Sequence, residues 1–225
     1  MKALLDTDEM VFNGPELGCV LCLTGLPGGN NKLHDRSPYG NTGAITGATW
    51  TRLPSGLWVL SFDGIDDYVD VGNPASFDIY QLSIEAWVRP PTAIADNWYN
   101  LAYHADRLKL RAADSANQIM YFAIKQNSAW KALSWTYTDA TVWYHVVGTF
   151  DGVTLRLYVN GVERDTLESA GTVDTPTGIF KVGSKAVGPT AGEQRIGLFR
   201  YYNQALIASE ILSHFSREKH LFGVW

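Results

Sequence analysis

The chain has 225 residues, of which 46% are hydrophobic and 18% charged, with a formal net charge of −5. That apolar share excludes wholesale disorder, and the length suits one large β-sandwich or two small domains. The acidic balance and the lack of any Lys/Arg run exclude a nucleic-acid footprint.

Residues 1–16 form an amino-terminal extension. Asp6, Asp8 and Glu9 interrupt the apolar core that a secretory signal needs, and no stretch is long enough to span a bilayer. The expectation is a soluble chain without a signal peptide. Met10, Val11 and Phe12 are apolar enough to call for a docking partner. The first strand is expected at 17–23. Its cysteines, Cys19 and Cys22, are three apart, so regular alternation points them to opposite faces and predicts two buried free thiols. The glycine-bearing loop 25–32 lacks phosphate-loop spacing.

Further strands are expected at 44–50, 57–62, 67–71, 82–89, 107–112, 118–125 and 130–135. Turn chemistry at Pro54-Ser55-Gly56, Asn73-Pro74 and Pro90-Pro91 separates several of them. The firmest pattern is 142–166. Asp151-Gly152 and Asn160-Gly161, both suited to type I′ turns, flank Val153-Thr154-Leu155-Arg156-Leu157-Tyr158-Val159, so the segment reads as a three-stranded meander. Val153, Leu155, Leu157 and Val159 share one face. His145 sits in a strongly apolar strand and reads as a packed core histidine. Strands at 179–183 and 195–202 precede one helix, capped by Ser209, with Ile211, Leu212 and Phe215 on one face. Beyond it, residues 216–225 end apolar at Leu221, Phe222, Val224 and Trp225. Such a tail either folds back or engages another subunit, which makes a homo-oligomer assembled through the termini the expectation.

Phe62-Asp63-Gly64-Ile65-Asp66-Asp67-Tyr68-Val69-Asp70-Val71 and Trp143-Tyr144-His145-Val146-Val147-Gly148-Thr149-Phe150-Asp151-Gly152 occur in an order and spacing that resemble the laminin G-like group of concanavalin A-type jelly rolls. Asp35–Asn41, Ala48-Thr49-Trp50, Leu82–Pro90 and Tyr202–Leu206 with Glu210-Ile211 match further segments of that group. The resemblance covers residues 34 to 212. It implies an all-β, antiparallel sandwich with one short carboxyl-terminal helix, occupying 17–215 between the extension and the tail. Members bind sugars, bind proteins or build surfaces, so the fold alone does not choose. The reading is a non-catalytic, lectin-like binding or assembly module presenting a face to glycans or proteins. Stand-alone domains of this kind resemble accessory proteins of bacterial viruses, which implies a virion surface, as capsid decoration or tail. A purely structural oligomeric subunit is the other non-enzymatic reading.

Residues 94–140 match the group least, and individual function is expected there. Trp98, Tyr99, Tyr103, Trp130, Trp135 and Tyr137 crowd into this stretch, with Asn97, Asn100, Gln126, Asn127 and Lys131 as hydrogen-bonding neighbours. Flat rings with polar edges suit sugar faces and protein interfaces alike, and they also fill cores. Trp98, Tyr99, Trp130, Trp135, Tyr137 and Asn127 are the candidate ligand-binding residues. Trp130 and Trp135 differ in parity, so at least one faces out of a regular strand.

Calcium is the cofactor the resemblance implies. Asp35, Asp63 and Asp66 are its candidate ligands, because calcium takes six to eight oxygens. Against this, Ile196-Gly197-Leu198-Phe199-Arg200 lacks the acidic pair usual in the group's last strand, and Arg195 adds a positive charge. The competing reading is that Asp35 caps a turn and Asp63 and Asp66 set a hairpin. The enzymatic alternative is a polysaccharide-acting glycoside hydrolase using Glu163, Asp165 and Glu168, whose spacing fits a jelly-roll hydrolase motif. Period two puts Glu163 and Asp165 on one face, with Glu168 joining only through a bulge.

Overall fold

The structure, a computed structural model, describes residues 17–25, 27, 29–92, 98–113, 117–183 and 192–225. The extension 1–16 and Asn97 lie outside them. In chain order the strands are β1 (Cys19–Leu23), β2 (Lys32–Leu33), β3 (Gly43–Thr46), β4 (Thr49–Arg52), β5 (Trp58–Phe62) and β6 (Tyr68–Gly72). Then come β7 (Leu82–Arg89), β8 (Tyr99–His104), β9 (Leu108–Ala113), β10 (Ile119–Gln126) and β11 (Ala129–Thr136). The series ends with β12 (Tyr144–Phe150), β13 (Thr154–Val159), β14 (Val162–Glu168), β15 (Phe180–Val182) and β16 (Gln194–Tyr202). Helix α1 (Ala208–Glu218) and a 3-10 turn (Lys219–Phe222) close the chain.

Two antiparallel sheets form the expected sandwich. One runs β14-β13-β12-β7-β16-β5-β4, with β1 also on β16; the other runs β11-β10-β9-β8-β15-β6-β3-β2. Apolar residues at alternate positions meet between them, among them Phe62, Ile84, Phe122, Val146, Phe150, Leu155 and Leu157. Each such large side chain contributes about 1.5–3 kcal/mol on burial. The meander follows the alternation, except that Val153 is exposed because the first turn is a three-residue loop rather than type I′. There Gly152 alone of the turn takes a positive φ, and Asp151 Oδ1 accepts the Val153 and Thr154 N–H groups. Asn160 and Gly161 both have positive φ, as a type I′ turn requires.

The departures from the expected elements have identifiable physical causes. The segment 44–50 is two strands, β3 and β4, in different sheets. The chain turns the corner at Gly47 (φ 74°), where an added Cβ would fall 1.8 Å from Asp67 Oδ1. Strand β8 went unforeseen because register shifts around Asn100 scramble its alternation. In β1 the pairing shifts between Cys19 and Leu21, so Cys19 lies opposite Tyr202 and Cys22 opposite Arg200. Both cysteines therefore share one face, against the expectation of opposite faces. They remain free and buried, and the neighbouring Cys22 thiol together with burial pushes the Cys19 thiol well above its usual range.

Helix α1 begins after Ile207, not Ser209, and its start is satisfied by Glu210, whose Oε2 accepts the Ile207 N–H at 2.9 Å. Ile211 is buried, whereas Leu212 is half exposed. The tail folds back. Phe222 stacks on Trp87 at 4.2 Å and lies 4.9 Å from Trp143, and Ser55 Oγ donates to the Leu221 carbonyl. Of the two alternatives for this tail, Leu221 and Phe222 take the first and pack on the chain's own sheet, while Trp225 stays exposed. No described helix is long and apolar enough to cross a membrane.

Candidate binding face

Strands β8 to β11 turn one face to the core and the other outward, and the register decides which aromatic goes where. Trp130 pairs with Lys125 on the outer side, while Trp135 pairs with Met120, a core residue. The parity difference thus separates them as expected. Trp135 packs partly against the core, edge-on to Tyr144 at 6.1 Å, with the Arg164 guanidinium 5.0 Å above it. Tyr99 and Tyr137, each 1% exposed, are packing residues and not ligand contacts. The Tyr99 ring abuts Gly64, and the Tyr137 hydroxyl donates to the Ala112 carbonyl at 2.8 Å. Burial pushes both phenols above their usual range. Asn127 and Ser128 form the β10–β11 turn, where both have positive φ and donate their backbone N–H groups to Asp174. Gln126 and Asn100 are buried; Gln126 hydrogen-bonds Ser169, and Asn100 Oδ1 accepts from Arg111 Nε at 3.0 Å.

Trp98 and Trp130 are the pair the fold brings together. Trp98 is 39% exposed and Trp130 half-buried, and Lys109 Nζ lies 5.8 Å from the first ring centroid and 3.7 Å from the second. Sharing that nitrogen, the two centroids are at most about 9.5 Å apart. On the same face Arg111 Cζ sits 4.4 Å from Trp98 and 5.4 Å from Tyr121, and Lys125 Nζ is 5.9 Å from Trp130. Each such contact is worth about 0.5–2 kcal/mol and holds a ring in place. Lys109, Arg111 and Tyr121 were not singled out from the sequence. The signal was present in Leu108-Lys109-Leu110-Arg111, where alternation puts two cations on the solvent side of one strand of an acidic chain.

The opposite sheet buries its polar cluster. Glu85 accepts from, or bonds to, His145 Nε2 at 2.6 Å, His214 Nδ1 at 3.1 Å and the Tyr202 hydroxyl at 3.2 Å, and it pairs with Arg200 at 3.3 Å. Arg200 also pairs with Glu218, whose other oxygen accepts the Trp87 Nε1–H at 2.7 Å. Burial pushes the Glu85 carboxyl up, but Arg200 and the two histidines reverse this and hold it well below the usual carboxylate range. Burial likewise works against the Arg200 charge, and Glu218 and Glu85 outweigh it. All of these groups are buried beneath α1, so the cluster fastens the helix and tail to the sheet. His145 is the packed core histidine expected.

The carboxylates at 163–168 lie on edge strand β14. The register shifts there, so that Glu163 pairs with Tyr158 and Asp165 with Leu157. Arg164 is the extra residue of a bulge, and it puts Glu163 and Asp165 on opposite faces, contrary to the period-two expectation. Glu163 accepts from the Tyr158 hydroxyl, while Asp165 accepts the Ser134 N–H of the other sheet. The three carboxylates do not converge on one cleft.

Asp35 is a loop organiser. Its oxygens accept the N–H groups of Cys22, Ser37 and Asn41 and the Ser37 hydroxyl, all within 2.6–2.8 Å. It is therefore not joined to Asp63 and Asp66, and calcium does not fit the expected set. The carboxylates that gather instead are Asp63, Asp66 and Asp67, within 4.8 Å of one another. Two of their oxygens already accept the Asp63 and Ile65 N–H groups. Those remaining are fewer than the six to eight ligands calcium takes. Burial, then the charges of Asp63 and Asp66, push the Asp67 carboxyl up, against a backbone hydrogen bond.

Residues 63–212 match the family model of the concanavalin A-like lectin/glucanases superfamily. Solved structures with the same fold include the binding domain of Paraclostridial Mosquitocidal Protein 1, at a TM-score of 0.75 and 16% identity over 92% of this chain and 55% of that one. The receptor binding domain of botulinum neurotoxin C/D mosaic serotype gives 0.72 and 14% over 88% and 51%. Botulinum neurotoxin type C, whose cell entry is dependent upon interaction with two ganglioside molecules, gives 0.68 and 16% over 88% and 51%. At these identities the likeness is one of fold, and the chain spans about half the length of these structures. No curated protein matches it in sequence.

Proposed function

The chain belongs to the concanavalin A-like lectin/glucanases superfamily, and from that premise we propose that it is a non-catalytic binding module whose ligand face is the outer surface of β8–β11. One observation carries this reading: two accessible indoles, Trp130 on β11 and Trp98 at the entry to β8, flank the Lys109 ammonium, with the Arg111 guanidinium against Trp98. Rings fixed in this way lose little freedom when a sugar stacks on them, which is what preorganisation contributes to affinity. The neighbouring toxin structures are binding and receptor-binding domains, which supports the same role. The hydrolase alternative has weaker support, since the bulge at Arg164 divides its carboxylates between two faces.

Titration of saccharides against intrinsic tryptophan fluorescence tests the reading. The expected result is a saturable change that Trp130→Ala abolishes while the melting temperature holds. Saturable binding unaffected by both Trp130→Ala and Trp98→Ala, or reducing-sugar release lost in Glu163→Gln, refutes it. A virion-surface setting is proposed with it, on the family resemblance alone; immunolabelling of purified particles that leaves them bare removes it.

A further inference from the structure

A recess lies where the chain enters β1 and leaves β16, strands of the sheet that does not hold β8–β11. Its volume is about 440 Å³, within the roughly 300–1,000 Å³ of small-molecule clefts. One wall depends on Gly18, whose φ is 78° and where a Cβ would come within 2.9 Å of both Asn203 Oδ1 and Gln204 Cδ. Bare backbone is what lets those two side chains close in. The Asn203 N–H donates to the Gly18 carbonyl at 2.8 Å and Gln204 Nε2 to the Leu17 carbonyl at 3.1 Å, which fixes this wall. The facing wall is the loop that Asp35 organises, which presents Pro38 and Tyr39. There Ser37 Oγ donates to Asp35 Oδ2 at 2.6 Å and accepts the Tyr39 N–H at 3.3 Å, while Asn41 Nδ2 ties the loop to the Val20 carbonyl of β1 at 2.9 Å. The rim is open to solvent: Tyr39 is 51% exposed, Leu17 is 87% exposed, and Pro38 and Asn203 are exposed too. Among the described residues nothing hydrogen-bonds the Tyr39 hydroxyl or the Asn203 side-chain amide.

We infer that this recess is a second ligand site that takes one neutral sugar unit, with the pyranose on the Tyr39 ring and its hydroxyls on the Asn203 and Gln204 amides. The site is separate from the proposed face on β8–β11 and does not depend on it. An exposed phenol ring offers a flat apolar face with a polar edge, which suits the C–H face of a pyranose. Asn203 brings two donors and an acceptor, and Gln204 keeps its Oε1 as an acceptor while its amide nitrogen holds Leu17. Such paired donors and acceptors match vicinal hydroxyls, each of which both donates and accepts. The chemical class follows from what lines the recess. No charged side chain is among its described lining residues, so neither an anion nor a cation finds a counter-charge there. The thiol of Cys19, on the recess lining, is kept protonated by its Cys22 neighbour and by burial. A wholly apolar ligand would strip water from the two amides without replacing their hydrogen bonds, which is costly. Both walls are held by hydrogen bonds before any ligand arrives, so little ordering is left to oppose binding.

Nitrogen-15 correlation spectra of the labelled chain test this, because one spectrum reads both sites. The side-chain amide signals of Asn203 and Gln204 report on the recess, and the indole N–H signals of Trp98 and Trp130 report on the β8–β11 face. The probes are the methyl glycosides of glucose, galactose and mannose, N-acetylglucosamine, glucuronate as the anionic control and cyclohexanol as the apolar one. At least one neutral sugar is expected to shift the Asn203 and Gln204 signals saturably, and to do so equally in Trp130→Ala. Tyr39→Ala is expected to weaken that binding about 10-fold, and Tyr39→Phe, which keeps the ring, to weaken it about 3-fold or less. Tyr39 is exposed, so both variants should melt with the wild type. Shifts confined to the indole signals overturn the second site and leave the β8–β11 face standing. Amide shifts that persist undiminished in Tyr39→Ala overturn the assignment of the ring. Glucuronate or cyclohexanol bound as tightly as the neutral sugars overturns the ligand class, and amide signals unmoved by every probe overturn the inference as a whole.

Discussion

Replacing Glu218 by alanine removes the carboxylate that fastens α1 to the outer face of the β7–β16 sheet. Arg200 and Glu218 are each almost completely buried, at 3% exposure, and the second Glu218 oxygen accepts the Trp87 indole N–H. Breaking a buried pair by deleting one partner costs about 3–5 kcal/mol, because the remaining charge is left without compensation. The lower end applies here, since Arg200 keeps Glu85 at 3.3 Å. At about 2–4 °C per kcal/mol for a chain of this size, the melting temperature should fall by about 6–12 °C. Glu218→Gln should cost less, because an amide oxygen still accepts from Trp87 and only the charge is lost. Urea unfolding and calorimetry of the three proteins measure this. A Glu218→Ala protein within about 1 kcal/mol of wild type, or two variants of equal cost, would show that the buried pair does not fasten the helix.

His104 is held down to about 4 from its ordinary 6.5 by burial, with the Arg107 charge adding to it. As pH falls from 6.5 to 4 the unfolded chain takes up a proton that the folded chain refuses, so stability drops by about 3 kcal/mol across that window. His104→Gln should flatten that part of the stability–pH curve, and curves running parallel would contradict the assignment. Gly148→Ala should destabilise by about 1–3 kcal/mol or more, because the new Cβ would lie 2.3 Å from the Phe122 ring in the core. An unchanged urea midpoint would refute that. Millimolar calcium compared with chelator should leave the melting temperature unchanged, given the few oxygens left at Asp63, Asp66 and Asp67. A rise of several degrees would establish a metal site there.

Local chemistry in the sequence determined the sandwich. Alternation in Leu155, Leu157 and Val159, the Asn160-Gly161 turn, and the family segments from Asp63 to Ile211 depend on neighbours in the chain, and the structure keeps them. Parity arguments held wherever a strand was regular, as for Trp130 against Trp135, and failed at each bulge. One extra residue at Val20 put both cysteines on one face, and another at Arg164 divided Glu163 from Asp165. A bulge answers to the facing strand, which is far away in sequence, so no local pattern announces it. The same holds for what surrounds a side chain. Asp35 reads as a metal ligand until the backbone of 22, 37 and 41 closes around it. Tyr99 and Tyr137 look like ligand contacts until the fold buries them, and that the tail folds back emerges only where Phe222 meets Trp87. Only the tertiary structure could set Lys109 between Trp98 and Trp130, because cross-strand packing joins β9 to β11 across β10 and to the residue that leads into β8.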